Sequence, residues 1–530
     1  MKRRFPESWK ESKVVPLHKK NERIYPKNYR PVSLLPVISK VLERVIFEQF
    51  ISYLENNNLL HPSHHGFRAN HSTVTALIEM YDQWIEAFEN DEITAVVMLD
   101  LSAAFDVVDH DILIQKLEYY GFEDCAITWL RSYLCDRSQR VNVEGALSES
   151  LQLEAGVPQG SILGPLLYIL YTNDLPEVVH DHPQHETQVE LPDHGEAHVG
   201  QIEELVQVHQ DHHPQQQGLQ AELGHQATPA HQYNLNCKEC GAICIFADDS
   251  TFSLSNKDAD QLKEGIKLKY SSIADYMNKN KLILNSDKTH LLIMTSGQNH
   301  RKNSNFGITL DTGSEIIEPI SEEKLLGGTI SNNLKWNSLI RDSKQSLTSI
   351  LTSRINALSK VSRSSSFKNR KLIANGVVMS HMIYLVQLYG GCSEFLLHAL
   401  QVLQNRAARL VTRLGWRTPT ATLLLQCGWF SIRQLVVYHS ILLLFKTKQN
   451  SQPIYISSKI SHHFTKVTRN STSGGIKDNR RFHSLLATQS FLPRTIRMWN
   501  EEIPLDLRTE NSIIKFKQKL RIWVKANVRT

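Results

Sequence analysis

Three aspartates carry the first chemical hint in this 530-residue chain: Asp100, Asp248 and Asp249. Asp100 ends the short, partly β-branched apolar run Ala95-Val96-Val97-Met98-Leu99, which reads as a buried strand. Ala242–Phe246 and Ser250–Leu254 read as two more strands, joined by Ala247-Asp248-Asp249. That is a hairpin with two carboxylates at its tip. A third carboxylate at a neighbouring strand end would complete an all-oxygen cluster of the type that suits Mg²⁺. Two such ions about 4 Å apart neutralise both the attacking and the leaving oxygen of a phosphoryl displacement. An Asp-Asp pair alone is weak support, because surface turns often contain one.

The elements that must position these groups are legible in outline. Leu42, Val45, Ile46, Phe50, Tyr53 and Leu54 recur at helical spacing over 41–54, and Asn56-Asn57-Asn58 ends that helix. Ser161 is placed to cap a helix through Leu166, Leu167, Ile169 and Leu170, with Pro165 tolerable in its first turn. Beyond residue 331 the pattern is mostly helical, as at Arg341–Arg363, His398–Leu414, Ile432–Lys448 and Ile513–Val528. Ser364–Ser366 and Thr468–Gly475 read as loops.

Charge divides the chain. Residues 331–530 hold 31 Lys and Arg against 7 Asp and Glu, a surplus of +24, whereas 1–330 hold 28 against 47, or −19. The net +5 hides this asymmetry, which points to a polyanion and first to nucleic acid. Residues 181–232 differ again: no Lys, Arg or aromatic residue, nine Asp and Glu, nine His and many Gln. Such a stretch buries too little apolar surface to offset its ordering entropy and reads as a disordered or loosely helical insertion. Its histidines lack a repeated ligand spacing, so a solvated loop is preferred over a metal site. The single Cys237-Lys-Glu-Cys240 has no matching second pair and reads as reduced thiols.

Seven scattered cysteines argue against a disulfide framework and for a reducing compartment. The basic start Met1–Pro6 has no apolar run behind it, which argues against a secretory signal. Leu435–Phe445 is about half the ~20 residues a membrane helix needs, so a buried helix is expected there. Neither a Walker-type phosphate loop nor an HExxH zinc helix occurs. The expected location is intracellular, in nucleus or cytoplasm, without membrane association.

Ordered blocks sharpen the reading. Asp100-Leu-Ser-Ala-Ala-Phe105-Asp106, Gly156-Val-Pro-Gln159-Gly160-Ser161 and Phe246-Ala-Asp248-Asp249 follow one another along the chain. Asn28–Pro36 and Gly66-Phe67-Arg68 stand upstream; Leu284–Thr289 and Leu325-Leu326-Gly327-Gly328 stand downstream. Together they resemble motifs of the reverse transcriptases of non-LTR (LINE-like, jockey-type) retrotransposons. The resemblance spans nearly the whole chain except 181–232.

It implies an α+β right-hand polymerase fold: fingers over 1–92, palm over 93–330 interrupted at 181–232, a helical thumb over 331–420 and a basic C-terminal region over 421–530. It implies RNA-directed DNA synthesis on an RNA template, with a DNA primer and dNTPs as partners and two Mg²⁺ as cofactors, Mn²⁺ being a possible substitute. Asp100, Asp248 and Asp249 take the place of the metal-binding aspartates, helped by the carbonyl of Leu101. Phe105 resembles the ring under the incoming sugar that rejects a 2′-hydroxyl; read without the motif it is a core phenylalanine. Gln159 and Gly160 resemble the loop beneath the nascent base pair. Arg30, with Lys19 or Lys20, resembles the residues gripping the triphosphate, although a solvated pair is as good a reading of the two lysines. Lys288 resembles the lysine that serves the leaving pyrophosphate, and Leu325–Gly328 the primer grip.

Two departures weigh against activity. Removing 181–232 brings the Asp100–Asp248 spacing closer to that of the family. The chain also starts almost at the finger motif, with no room for the endonuclease such elements carry upstream, so it reads as a truncated frame. A catalytically inactive relic that only binds nucleic acid is the competing expectation. The basic helices after residue 331 would meet phosphates. Trp416, Trp429, Trp499 and Trp523 are available for base stacking, although most sit in apolar surroundings that suit a core.

Overall fold

The structure is a computed structural model that describes residues 4–19, 22–180, 241–296, 306–313, 315–461, 476 and 482–529. The insertion at 181–232, the Cys237/Cys240 pair, Lys20 and the Thr468–Gly475 loop lie outside the described residues.

The N-terminal part pairs β1 (Glu11–His18) with β2 (Tyr29–Leu34), followed by α1 (Val37–Asn56) and α2 (Thr73–Glu89). Ser72 caps α2 reciprocally with Thr75, satisfying two backbone donors that a helix start otherwise leaves open. Next come β3 (Ile93–Leu99), α3 (His110–Tyr119), α4 (Asp124–Leu134) and β4 (Arg137–Val143), which runs parallel to β1. Then follow α5 (Gly164–Tyr171), α6 (Leu175–His180), β5 (Ala242–Phe246), β6 (Asp249–Asn256), α7 (Ala259–Lys279) and β7 (His290–Met294). A short β8 (Pro319–Ile320) precedes the hairpin β9 (Glu322–Leu325) and β10 (Gly328–Ser331).

The functional sheet has the order β8-β7-β3-β6-β5, with β3 at its centre. Every residue of β3 is buried, which is why its sequence is continuously apolar rather than alternating. The period-2 geometry of a strand still acts: Val96 and Met98 enter one core, Ala95, Val97 and Leu99 another. The expected strands at 95–99, 242–246 and 250–254 are all present.

The C-terminal part is helical: α8 (Leu347–Ser362), α9 (Phe367–Ala374), α10 (Glu394–Thr412), α11 (Thr420–Cys427), α12 (Ile432–Asn450), α13 (Ile454–Ser461), α14 (Leu485–Thr488), α15 (Phe491–Glu501) and α16 (Ile513–Asn527). The helix expected over 341–363 is divided. A π-helical turn at Ser338–Asp342 comes first, and α8 starts only where the Ser346 hydroxyl accepts from the Ser349 amide. Leu435–Phe445 lies inside α12, and among the described residues no single helix is long and apolar enough to cross a membrane. Trp429 and Trp499 are buried and Trp523 packs against the core, as their apolar surroundings suggested, whereas Trp416 is exposed. The five described cysteines are free thiols.

One core joins α2 to these helices. Polar bonds reinforce it. Glu89 at the end of α2 accepts from the amides of His483 and Ser484, which open α14. The Tyr455 hydroxyl of α13 donates to the buried Asp82 carboxylate of α2 at 2.6 Å. Tyr455→Phe removes that donor from a buried charge and should cost about 1–3 kcal/mol. Urea unfolding should show a lower midpoint at unchanged slope; an unmoved midpoint would refute a stabilising role for the bond.

Candidate active site

Sheet register assembles the site. Leu99 pairs with Ser250 and Met98 with Thr251, so Asp100, one step beyond, comes alongside Asp249. Phe246 pairs with Asp249 across a two-residue turn, Ala247-Asp248, whose Ala247 takes a positive φ of 59°. Three carboxylates thereby meet at the ends of three adjacent strands.

Their charges interact. Partial desolvation, then the charges of Asp248 and Asp100, push the Asp249 carboxyl up to about 6, against the opposing pull of Lys19 and Lys288. Lys288 sits on a short 3-10 turn, Ser286–Lys288, and its Nζ donates to Asp100 Oδ2 at 2.5 Å. That turn is locked to the end of β3: the Asn285 amide donates to the Asp100 carbonyl, and the Ser102 amide to the Ile283 carbonyl. Neither bond of this Leu101–Leu284 bridge uses the Leu101 carbonyl.

Among the described residues no three carboxylate, imidazole or thiol groups stand close enough together to hold a metal ion. Sheet register brings the three aspartates together, and Asp100 is paired with Lys288. The donor set still fits a hard cation. All three side chains offer only oxygen, and the raised Asp249 marks negative charge that a cation would balance.

Around the carboxylates, loops are pinned backbone to backbone. Phe105 lies half-buried, stacked on Tyr168 with centroids 4.7 Å apart and edge-on to Phe67 at 6.5 Å. Burial, then Asp248 and Asp249, raise the Tyr168 phenol, which places that ring near the carboxylates. The Val157 amide donates to the Phe105 carbonyl, and the Gly156 amide to that of Val108. Gln159 does not point free: its Nε2 donates to both oxygens of Asp106 at 2.9 and 3.0 Å. Its carbonyl accepts from the Ser33 amide of β2 at 2.8 Å. Gly160 has φ +116°, and a Cβ there would stand 2.8 Å from the Ser33 carbonyl oxygen, so only glycine fits.

The Gly66-Phe67-Arg68 block backs the aspartate turn. The His65 amide donates to the Ile245 carbonyl, and the Ile245 amide to that of Ser63. A Cβ on Gly66 would lie 2.6 Å from the Ala247 nitrogen. Arg68 reaches back to the His61 and His64 carbonyls at 2.8 and 3.2 Å. Buried His64 is held neutral, with its pKa pushed down to about 3, chiefly by burial.

Lys19 and Arg30 are exposed, on the turn after β1 and on β2. Lys19 is near enough to act on Asp249, and Arg30 is not among the charges acting on that carboxyl. At the β9–β10 turn, the Tyr384 hydroxyl donates to the Leu326 carbonyl and also bonds Thr73.

One positioning residue escapes the motif reading. Glu43 of α1 is fully buried, and its Oε2 accepts from the Ile162 and Leu163 amides at 2.7 and 3.3 Å, just ahead of α5. Ser39 donates to its other oxygen, and the buried Arg137 guanidinium lies close enough to compensate its charge. Ser161 also serves α5, accepting from the Gly164 amide at 2.9 Å rather than standing at the N-cap itself, which is Leu163.

Two outcomes test this electrostatic picture. Glu43→Ala orphans two backbone donors and a buried guanidinium, and should destabilise the fold by about 2–4 kcal/mol in chemical unfolding. An acid with a raised folded pKa favours the folded state while protonated, and this advantage is lost as pH rises from about 4 to about 6. In chelator, Asp249→Asn should therefore gain stability relative to the parent across that window and hold the gain above it. A difference that stays flat with pH would rule out the raised carboxyl.

Residues 17–198 match the family model described as reverse transcriptase (RNA-dependent DNA polymerase). That span takes in Lys19, Arg30, Asp100, Leu101, Phe105, Gln159 and Gly160, and ends before Asp248. The chain is 38% identical over 179 residues to the probable RNA-directed DNA polymerase from transposon BS of Drosophila melanogaster, covering 32% of this chain and 19% of that one. It is 40% identical over 181 residues to that of the X-element (33% and 19%), and 34% over 173 to that of mobile element jockey (32% and 19%), both from the same fly. Each alignment thus spans about a fifth of the relative's length. Among solved structures, apo telomerase from Candida tropicalis aligns at 11% identity over 85% of this chain and 70% of that one, with a TM-score of 0.39. Over residues 17–198 the chain is thus similar to reverse transcriptases, and the relatives that share this stretch are polymerases of transposons and mobile elements.

Proposed function

We propose that this chain is an RNA-directed DNA polymerase, adding deoxynucleotides from dNTPs to a DNA primer 3′-hydroxyl on an RNA template. The observation that carries this reading is the meeting of Asp100, Asp248 and Asp249 at adjacent strand ends with Lys19 and Lys288 beside them. Fingers over 1–92, palm over 93–330, thumb over 331–420 and a basic region over 421–530 are the corresponding parts. The relatives' printed names support the same activity.

Asp100, Asp248 and Asp249 would hold two Mg²⁺, with Mn²⁺ as a substitute, and the Leu101 carbonyl is available beside them. When bound, the ions lower the charge barrier on the entering and leaving oxygens. The chain's own groups do the rest. Arg30 and Lys19, exposed on β2 and the turn after β1, offer cationic donors to the triphosphate. Phe105, braced by Tyr168, sets a wall against a 2′-hydroxyl. Gln159 and Gly160 bring backbone close to the sugar and base. Lys288, already a donor to an oxyanion at Asp100, is the acid or counter-charge for pyrophosphate. The basic helices after residue 331 give phosphate contacts along the template–primer.

Purified chain with primed RNA, dNTPs and Mg²⁺ should extend the primer, and Asp248→Asn should reduce extension by at least about 100-fold. Phe105→Ala should raise ribonucleotide incorporation relative to deoxynucleotide. The competing reading, a relic that only binds nucleic acid, wins if parent and Asp248→Asn alike fail to extend while salt-sensitive RNA binding persists. Recovery on deleting 181–232 would then assign the lesion to that insertion.

A further inference from the structure

Away from the carboxylates, a second group of side chains has the chemistry of a polynucleotide contact. The C-terminal ends of α8 and α10 face an open cavity of about 540 Å³, lined by Arg363, Arg409 and Arg413 with no acidic residue. Along the chain, Glu394 is the only acidic residue between Asp342 and Asp478.

Part of this is structural. Arg413, in left-handed conformation at the end of α10, donates at 2.9 Å to the Ser362 and Arg363 carbonyls that close α8. Cations belong at helix C-termini, so Arg413 is explained by capping alone. The same placement accounts in part for Arg363, the C-cap of α8, and Arg409 in the last turn of α10, but not for Arg417 or the exposure of Trp416. Arg409 donates to the Trp416 carbonyl at 3.1 Å, tying the cavity to the turn that follows. Trp416 is 76% exposed, whereas Trp84, Trp336, Trp429 and Trp499 are all buried. The Arg417 guanidinium stands 4.9 Å from the Trp416 ring centroid. A single exposed apolar side chain needs no special reason. An exposed indole beside Arg417 and continuous with three further arginines does, because like charges gathered without carboxylates repel until an anion balances them.

We propose that Arg363, Arg409, Arg413, Trp416 and Arg417 form a subsite for a single-stranded polynucleotide, outside the carboxylate site. The arginines take successive phosphates, and one unstacked base lies on the Trp416 indole. The base stack of a duplex offers no free face to such a ring, which selects the single strand. On the polymerase reading that strand is the RNA template; the contact itself does not require catalysis.

Binding by the full chain separates the two. Labelled oligo(rU), oligo(dT) and a blunt duplex are titrated and read by anisotropy at several salt concentrations. Trp416→Leu should weaken oligo(rU) about 5- to 100-fold and leave duplex affinity unchanged, and the quench of tryptophan emission on binding should shrink. Arg363→Gln with Arg409→Gln should lower the slope of log K against log salt by about 1.4. An effect on oligo(rU) alone or on both strands supports the subsite and says which sugar it accepts. Parent-like affinity and salt slope in both variants, with unchanged thermal midpoints, would overturn it. Primer extension by the parent is read beside binding, so failure of the polymerase reading (no extension) and failure of the subsite (parent-like binding by both variants) give different patterns.

Discussion

Like charge held at one point is the constraint on which the rest of this structure depends. Carboxylates gathered at one turn repel one another, and beside the cost of its partial burial the raised Asp249 carboxyl reports that repulsion. The strands nonetheless force them together, because Leu99 pairs with Ser250 and the chain has no freedom to slip. A one-residue slip of β3 would send Val97 to the face of Val96 and exchange the contents of two cores. Hydrophobic burial on both sides of β3 thus holds a register that electrostatics alone would oppose. Relief comes from Lys19 in the N-terminal part and Lys288 on the turn before β7.

That arrangement needs stiff surroundings, and backbone hydrogen bonds supply them. Ser33 to Gln159, His65 to Ile245, Val157 to Phe105 and Asn285 to Asp100 join segments far apart in sequence. Each leaves side chains free while fixing the main chain that carries them. Glycine appears where two backbones meet too closely for a Cβ, at Gly66 against Ala247 and Gly160 against Ser33. Glu43 does from a helix what these loops do from the main chain, anchoring the amides ahead of α5.

Features decided by local pattern were legible in the sequence. The three strands and the aspartate turn follow from β-branched runs and turn chemistry over a few residues. Features decided by distant partners were not. Glu43 on a helix reads as solvated; its burial depends on Arg137 and on amides 119 residues away. In the same helix, Val45 fits the apolar period yet is exposed, along with Val37, Ile38 and Val41. Helical period alone does not say which stripe meets the core. Gln159 was legible as a residue, but its grip on Asp106 was not, because both fall in blocks read separately. Motif order carries no information on where Lys288 would rest, so its pairing with Asp100 was not legible.

The charge asymmetry takes on a different meaning in three dimensions. The basic C-terminal helices are no loose tail, because α12, α15 and α16 share one core with α2 and with residues of β3. The basic residues of these helices are therefore carried on packed elements. At physiological salt the Debye length is about 8 Å, so exposed arginines on these helices are screened from charges farther away than that. The carboxylates have lysines in direct reach, whereas the cavity lined by Arg363, Arg409 and Arg413 has no acidic residue in its wall. The net charge of +5 sums these opposite local charges and describes neither. Local balance is what determines where a polyanion can settle.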